Sequence, residues 1–179
     1  MNGRGNDRAL DAFVRLYDTH GSRLKSIAFN LLGNAADAED AVQEAFLKAY
    51  RGWSAFKGDA APFTWLYRIV VNSCMDAGRR RRRQPLEPEE AAPPDLRPAA
   101  GHDHPLRLAL EAAVKKLAPR QRTVFLLTEV EGFTHREVAE ILEIAEGTSK
   151  NDLFEAKRAL RRLLASSGAA LGLRAESAS

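Results

Sequence analysis

Two stretches of this 179-residue chain carry side chains spaced for contact with a polyanion. In the C-terminal stretch, Ser149, Leu153, Ala156, Leu160 and Leu163 or Leu164 recur at helical intervals and are expected to face inward. At 100° per residue about Leu153, the outward face is then Thr148, Asn151, Glu155, Arg158 and Arg162, with Asp152 on one flank and Lys150 nearer the other. On a helix lying in a major groove, Asn pairs with adenine and Glu accepts from the cytosine amino group. Arg158, Arg161 and Arg162, further along, suit phosphates. The alternative is a solvated helix with compensating pairs, such as Glu155 with Arg158. The other stretch places Trp65, Arg68, Asn72, Asp76, Arg79 or Arg80, and Arg83 at intervals of three and four, ending in five consecutive arginines, Arg79 to Arg83. Such a run repels itself and is expected to fray without an anion, which makes a phosphate backbone the economical partner. A solvated segment at the start of a linker is its alternative. Trp53, Phe56, Phe63, Trp65 and Tyr67 surround this stripe, where they could stack on unpaired bases or, individually, fill the core.

Those faces need helices to hold them, and the chain reads as all-α: two small helical domains, 9–84 and 106–165, joined by a flexible acidic Pro-rich linker at 85–105. Six of the eight prolines lie in that linker. Alternating β-branched runs bounded by turn residues are not found. Charge follows the same division, at +5 over 1–84, −4 over 85–105 and +2 over 106–179. In the first domain, Leu10, Phe13, Leu16, Tyr17, Leu24, Ile27, Ala28 and Leu31 predict a helix that stops at Gly33, and Asn34 can cap the next. That second helix, over about 35–50, buries Val42, Ala45, Phe46 and Ala49 and turns Asp37, Asp40, Glu44, Leu47 and Arg51 outward. Pro62 is placed to start a third helix reaching about Arg80, with Phe63, Leu66, Val70, Cys74 and Ala77 inward.

The second domain begins near Leu106, with Leu110, Ala113, Val114 and Leu117 as its apolar face. It restarts at Pro119 with Val124, Leu127 and Val130 inward, and stops at Gly132. Thr134 stands three residues before Glu137, the spacing at which hydroxyl and carboxylate cap each other's end of a helix. A short helix, a three-residue turn (Glu143, Ile144, Ala145) and a longer helix then form a helix-turn-helix pattern. Residues 1–8 and about 166–179 are expected to be loosely ordered.

Other chemistry finds little support. Cys74 is the single cysteine and sits on an apolar stripe, which excludes a disulfide scaffold and suits a small buried residue better than a nucleophile. The four histidines are scattered. His102-Asp103-His104 offers two imidazoles in a linker, without the further ligands a metal site needs. Neither an enzyme nor a metal or other cofactor is expected. No apolar run is long enough to span a bilayer or serve as a secretory signal, so the expected location is cytoplasmic, without membrane insertion.

Three segments in series, DAEDAVQEAFLKAYRGW (37–53), FTWLYRIVVNSCMD with its arginine run (63–83) and LAPRQRTVFLLTEVEGFTHREVAEILEIAEGTSK (117–150), resemble a bacterial RNA polymerase sigma factor of the extracytoplasmic-function (ECF) class. The resemblance implies that the first domain is sigma region two. Its second helix would dock on the clamp helices of the largest polymerase subunit through Asp37, Asp40, Gln43, Glu44, Leu47 and Lys48. Its third helix would engage the minus-ten element through Trp65, Arg68, Asn72, Asp76, Arg79, Arg80 and Arg83, and help melt it, while the Trp53–Ala61 loop holds an extruded base. The second domain would be region four, packed on the polymerase flap and reading the minus-thirty-five element through Thr148, Lys150, Asn151, Asp152, Glu155, Arg158 and Arg162. The same resemblance implies an anti-sigma partner. Two departures stand out: positions 152 and 155, commonly basic in the family, are Asp152 and Glu155, and Glu143 replaces a common turn glycine. The acids point to an altered element or to a region four that leans on polymerase contacts. A sigma-like decoy that binds an anti-sigma factor, or a stand-alone helix-turn-helix regulator, are the alternative readings.

Overall fold

The computed structural model describes residues 3–53, 56, 61–83 and 105–170. All regular structure among them is helical, and the chain divides into two compact units. The first contains α1 (Gly3–Leu32), α2 (Ala35–Gly52) and α3 (Pro62–Arg83). The described chain after them forms α4 (Pro105–Lys115), α5 (Pro119–Phe125) continued by a π-helical turn (Leu126–Val130), α6 (His135–Leu142) and α7 (Glu146–Ala170).

In the first unit all three helices pack on one another around Leu24, Ile27, Ala28, Val42, Ala45, Leu66, Val70 and Cys74. Alanines 38, 41, 45 and 49 on α2 let its backbone approach its neighbours closely, while Phe13 sets its ring edge-on to Phe46 at 5.8 Å. The stop between α1 and α2 forms as expected. Gly33 takes φ +73°, open to glycine at no steric cost, and the Asn34 side chain accepts from the Asp37 amide at 2.9 Å. Such a cap is worth about 1 kcal/mol. Some positions differ from the expected stripes: Tyr17 is exposed, Leu16, Leu31, Phe63 and Ala77 are only half-buried, and Tyr67 and Val71 are fully buried on α3. Helix α1 begins at Gly3, inside the segment expected to be loosely ordered, and α7 extends to Ala170.

In the second unit Ala113, Leu117, Ala156 and Leu160 form a core cluster, and Val124, Leu127 and Val138 are fully buried. Leu110 and Val130, expected inside, are exposed. For Val130 the cause is the π turn: the Glu131 amide donates to the Leu126 carbonyl at 3.0 Å, five residues back. The wider ring advances the chain by one residue beyond the α-helical count and rolls Val130 outward. The predicted capping box is present, with the Thr134 amide donating to Glu137 Oε2 at 2.8 Å and the Glu137 amide to Thr134 Oγ1 at 3.3 Å. Glu143 follows α6 at φ +55°, and the Ile144 amide donates to the Ala139 carbonyl at 3.1 Å, the bonding of a Schellman turn. An L-residue there costs about 1 kcal/mol.

The linker with its His102-Asp103-His104 triplet, and most of the Trp53–Ala61 loop, lie outside the described residues. No helix among the described residues is long and apolar enough to cross a membrane.

Candidate nucleic-acid interface

Helix α7 carries the face of most interest, and its roll differs from the expected one. The fully buried positions are Ser149, Asp152, Ala156 and Leu160, while Leu153 is only half-buried. At 100° per residue the inward direction therefore lies about 50° from Leu153, on the Asp152 side. Asp152 is removed from the reading face. It is 3% exposed and accepts two hydrogen bonds from Arg120 on α5, at 2.6 Å from Nε and 3.1 Å from Nη2. That carboxylate holds the Arg120 guanidinium above its ordinary pKa, first by hydrogen bonding and then by charge. The unexpected acid of the helix is thus neutralised inside the fold, where the apolar pattern gave no hint of it, because its partner lies on another helix.

The same roll defines the side chains that are presented. Lys150, Asn151, Phe154, Arg158, Arg161 and Arg162 are exposed together on one side. Phe154, 60% exposed, was missed by the sequence reading because a stripe centred on Leu153 leaves it unassigned. Thr148 and Glu155 fall to a half-buried flank. Glu155 pairs with Arg158 at 2.8 Å and Glu146 with Lys150 at 2.7 Å. The Lys150 bond draws the Glu146 carboxyl below its ordinary range. Near the start of α7, the buried Ser149 Oγ lies 2.9 Å from His135 Nδ1, tying the helix to α6.

On α3 the predicted stripe stands on one side of the helix. Arg68, Asn72, Arg79, Arg80 and Arg83 are exposed, and Trp65 and Asp76 half-buried. The arginine run does not fray; it is helical through Arg83. The reason is that anions come from the chain itself. Arg80 donates to Glu44 at 3.0 Å, Arg81 to Asp37 at 2.9 Å, and Arg79 pairs with Asp76 one turn back. Each exposed pair contributes about 0–1 kcal/mol, enough to hold a helix end yet open to exchange for phosphate. Two of those acids belong to the outward face of α2. Glu44 is shared by Lys48, at 2.8 Å, and Arg80, and their hydrogen bonds hold its carboxyl below the usual range.

The rest of the α2 face is as expected. Leu47 is 58% exposed among Asp40, Gln43 and Lys48, all exposed, with Asp37 and Glu44 half-buried. Exposed Tyr50 extends the apolar centre by one turn and was not anticipated. Among the aromatic residues, Tyr67 is fully enclosed and so is unavailable for stacking on bases. Trp53, Phe56, Phe63 and Trp65 are half-buried. Trp53 stacks on Phe56 at 5.6 Å, with Trp65 5.1 Å from Phe56, forming an aromatic shelf beside the α3 stripe.

Comparison with known proteins agrees with this division. Residues 16–84 match the model of sigma-70 region 2, and residues 107–160 that of sigma-70 region 4. The chain is 36% identical over 155 residues to the ECF RNA polymerase sigma factor SigM of Mycobacterium tuberculosis, covering 86% of this chain and 77% of that protein. It is 32% identical over 176 residues to the RNA polymerase sigma-H factor of Pseudomonas aeruginosa, covering 90% and 89%. Among solved structures, the sigma factor RpoE of Bartonella quintana, in complex with the anti-sigma factor NepR, aligns with TM-score 0.71 at 24% identity, over 86% of this chain and 96% of that one. CnrH, in complex with the cytosolic domain of CnrY, aligns with TM-score 0.68 at 24% identity, over 90% and 95%. At these identities the structural likeness is one of fold. Sequence relatives of this identity and coverage, with both region models matched in order, place the chain in the family of ECF RNA polymerase sigma factors.

Proposed function

We propose that this sigma factor, which directs core RNA polymerase to promoters, divides that task among three faces. The exposed side of α2, with Leu47 and Tyr50 at its centre and Asp40, Gln43 and Lys48 around them, docks on the clamp helices of the largest subunit. An apolar centre with a polar rim is the usual make-up of a protein interface. The α3 stripe of Trp65, Arg68, Asn72, Asp76, Arg79, Arg80 and Arg83 engages the minus-ten element and helps open it, its arginines exchanging carboxylates for phosphates. Helix α7 reads the minus-thirty-five element, with Lys150 and Asn151 near base edges, Phe154 available to a thymine methyl group, and Arg158, Arg161 and Arg162 on phosphates. The carrying observation is the α7 face, where an amide, an aromatic ring and four basic side chains stand together on the second helix of a helix-turn-helix. Two separated contacts on one promoter each raise the effective concentration at the other.

An anti-sigma partner that covers these surfaces is part of the same reading, as is a cytoplasmic location beside the polymerase. The decoy alternative drew on the two acids of α7, and the enclosure of Asp152 takes away half of that argument. The decisive experiment is run-off transcription from genomic fragments with purified core polymerase. Promoter-specific transcripts that depend on this chain, and vanish with Leu47→Asp, support the reading. A chain that binds core polymerase but starts RNA at no preferred site overturns it.

A further inference from the structure

Helix α7 carries two charges that the proposed contacts leave unused, the enclosed Asp152 and the half-exposed Lys157. Two ion pairs of opposite sense join this helix to α5 and the π turn that continues it. Asp152 accepts from Arg120, in the first turn of α5, at 2.6 and 3.1 Å. Further along, the order reverses, and Lys157 Nζ meets Glu129, in the π turn that continues α5, at 2.8 Å. One helix offers acid then base, and the other base then acid. A slip of α7 by a turn would break both pairs and leave the enclosed Asp152 carboxylate without its guanidinium.

Apolar packing fixes mainly the second half of this helix, where Ala156 and Leu160 join a core cluster against which Ala159, Leu163 and Leu164 also pack. In its first half the fully buried residues are the polar Ser149 and Asp152, and hydrophobic contact has no preferred direction. Directional bonds are suited to set the roll there, and registry is the best-attested use of a buried charge such as the Asp152 carboxylate. We propose that Arg120–Asp152 and Glu129–Lys157 pin the register and roll of α7, so that these four act as positioning residues for promoter reading. Asp152 lies on the opposite side of α7 from Phe154, while Lys157 stands at the edge of the exposed face, three residues beyond Phe154. The inference rests on the reading of α7 as the helix that meets the minus-thirty-five element. It also explains how an acid is accommodated at position 152: it belongs to a pin and leaves the DNA-facing charge alone.

The test uses holoenzyme assembled from core polymerase and the full chain, transcribing a promoter library randomised across the minus-thirty-five element. Lys157→Gln, Glu129→Gln and Asp152→Asn should each flatten base preference about fivefold, with affinity for core polymerase unchanged. The reversed pair Glu129→Lys with Lys157→Glu should restore both preference and folding. Asn151→Ala serves as the reference for reading itself. If Asn151→Ala alters the preference and the pair variants do not, the pin is refuted and the reading stands. If Asn151→Ala also changes nothing, α7 is not the reader and both fall. Should Asp152→Asn fail to fold, the half-exposed Glu129–Lys157 pair decides alone, and failure of its reversal to restore preference overturns the proposal.

Discussion

Truncating either member of the Arg120–Asp152 pair removes the same two hydrogen bonds, yet the two variants should differ. Asp152 is 3% exposed, whereas the Arg120 side chain is 58% exposed. In Asp152→Ala the stranded guanidinium rehydrates, so the loss is that of a charged hydrogen-bonded contact, about 2 kcal/mol. Alanine's better helix propensity returns about 0.5 kcal/mol, leaving about 1.5. In Arg120→Ala the stranded group is a carboxylate enclosed by protein, and the loss rises to about 3 kcal/mol or more. With a urea dependence of about 1 kcal/mol per molar for so small a unit, the midpoints should fall by about 1.5 M and 3 M. The chain supplies its own internal reference. Both tryptophans, Trp53 and Trp65, and all three tyrosines, Tyr17, Tyr50 and Tyr67, lie in the first unit. Far-ultraviolet ellipticity therefore follows both units, while tryptophan fluorescence follows the first alone. The expected result is a shifted ellipticity transition beside an unchanged fluorescence midpoint. Equal costs for the two variants, or Asp152→Ala costing more, would refute the assignment of Asp152 as the enclosed partner.

Three further outcomes follow from the surfaces and the core. Leu47→Asp should lower affinity for core polymerase at least about tenfold with a stability change within about 0.5 kcal/mol, read by fluorescence titration and melting; unchanged affinity would remove Leu47 from the interface. Glu155→Arg should strengthen nonspecific duplex binding and steepen its log–log salt dependence by about 0.9 for each phosphate gained; an unchanged titration would show that this flank stays clear of DNA. Burial pushes the Cys74 thiol from its ordinary value of 9.0 up to about 12. Stability due to the protonated thiol is therefore complete below pH 9 and is lost as pH climbs toward 12. At pH 8 the folded chain should resist alkylation that the urea-unfolded chain undergoes readily, and fast labelling of native protein would contradict the enclosed position.

Much of this architecture is legible in the residues because the deciding interactions are local. Gly33 with Asn34, Pro62, Gly132 and the Thr134–Glu137 box each act within a few positions of themselves, so spacing alone places the helix ends. Leu47 stands out by the same logic, as an apolar residue on a charged face. What spacing missed depends on partners distant in sequence. Asp152 reads as surface until Arg120 is beside it, and placing it inside rolls the whole reading face and brings out Phe154. The arginine run was expected to fray because its counter-ions, Asp37 and Glu44, sit on another helix. Val130 was misplaced by the single extra residue of the π turn, which no apolar period reveals.

That wide turn bears on how the fold tolerates changes in chain length. A five-residue ring closing on Leu126 stores one residue more than an ordinary helical turn of the same rise. Deleting a residue here would let the backbone relax to standard i to i+4 bonding, with Gly132 and the segment after it still able to reach their present places. The same deletion in the middle of α7 has no such slack, since each lost residue swings everything downstream by about 100°. Length variation in related chains should accordingly collect at 126–130, while the spacing from Thr134 through Arg162 stays invariant.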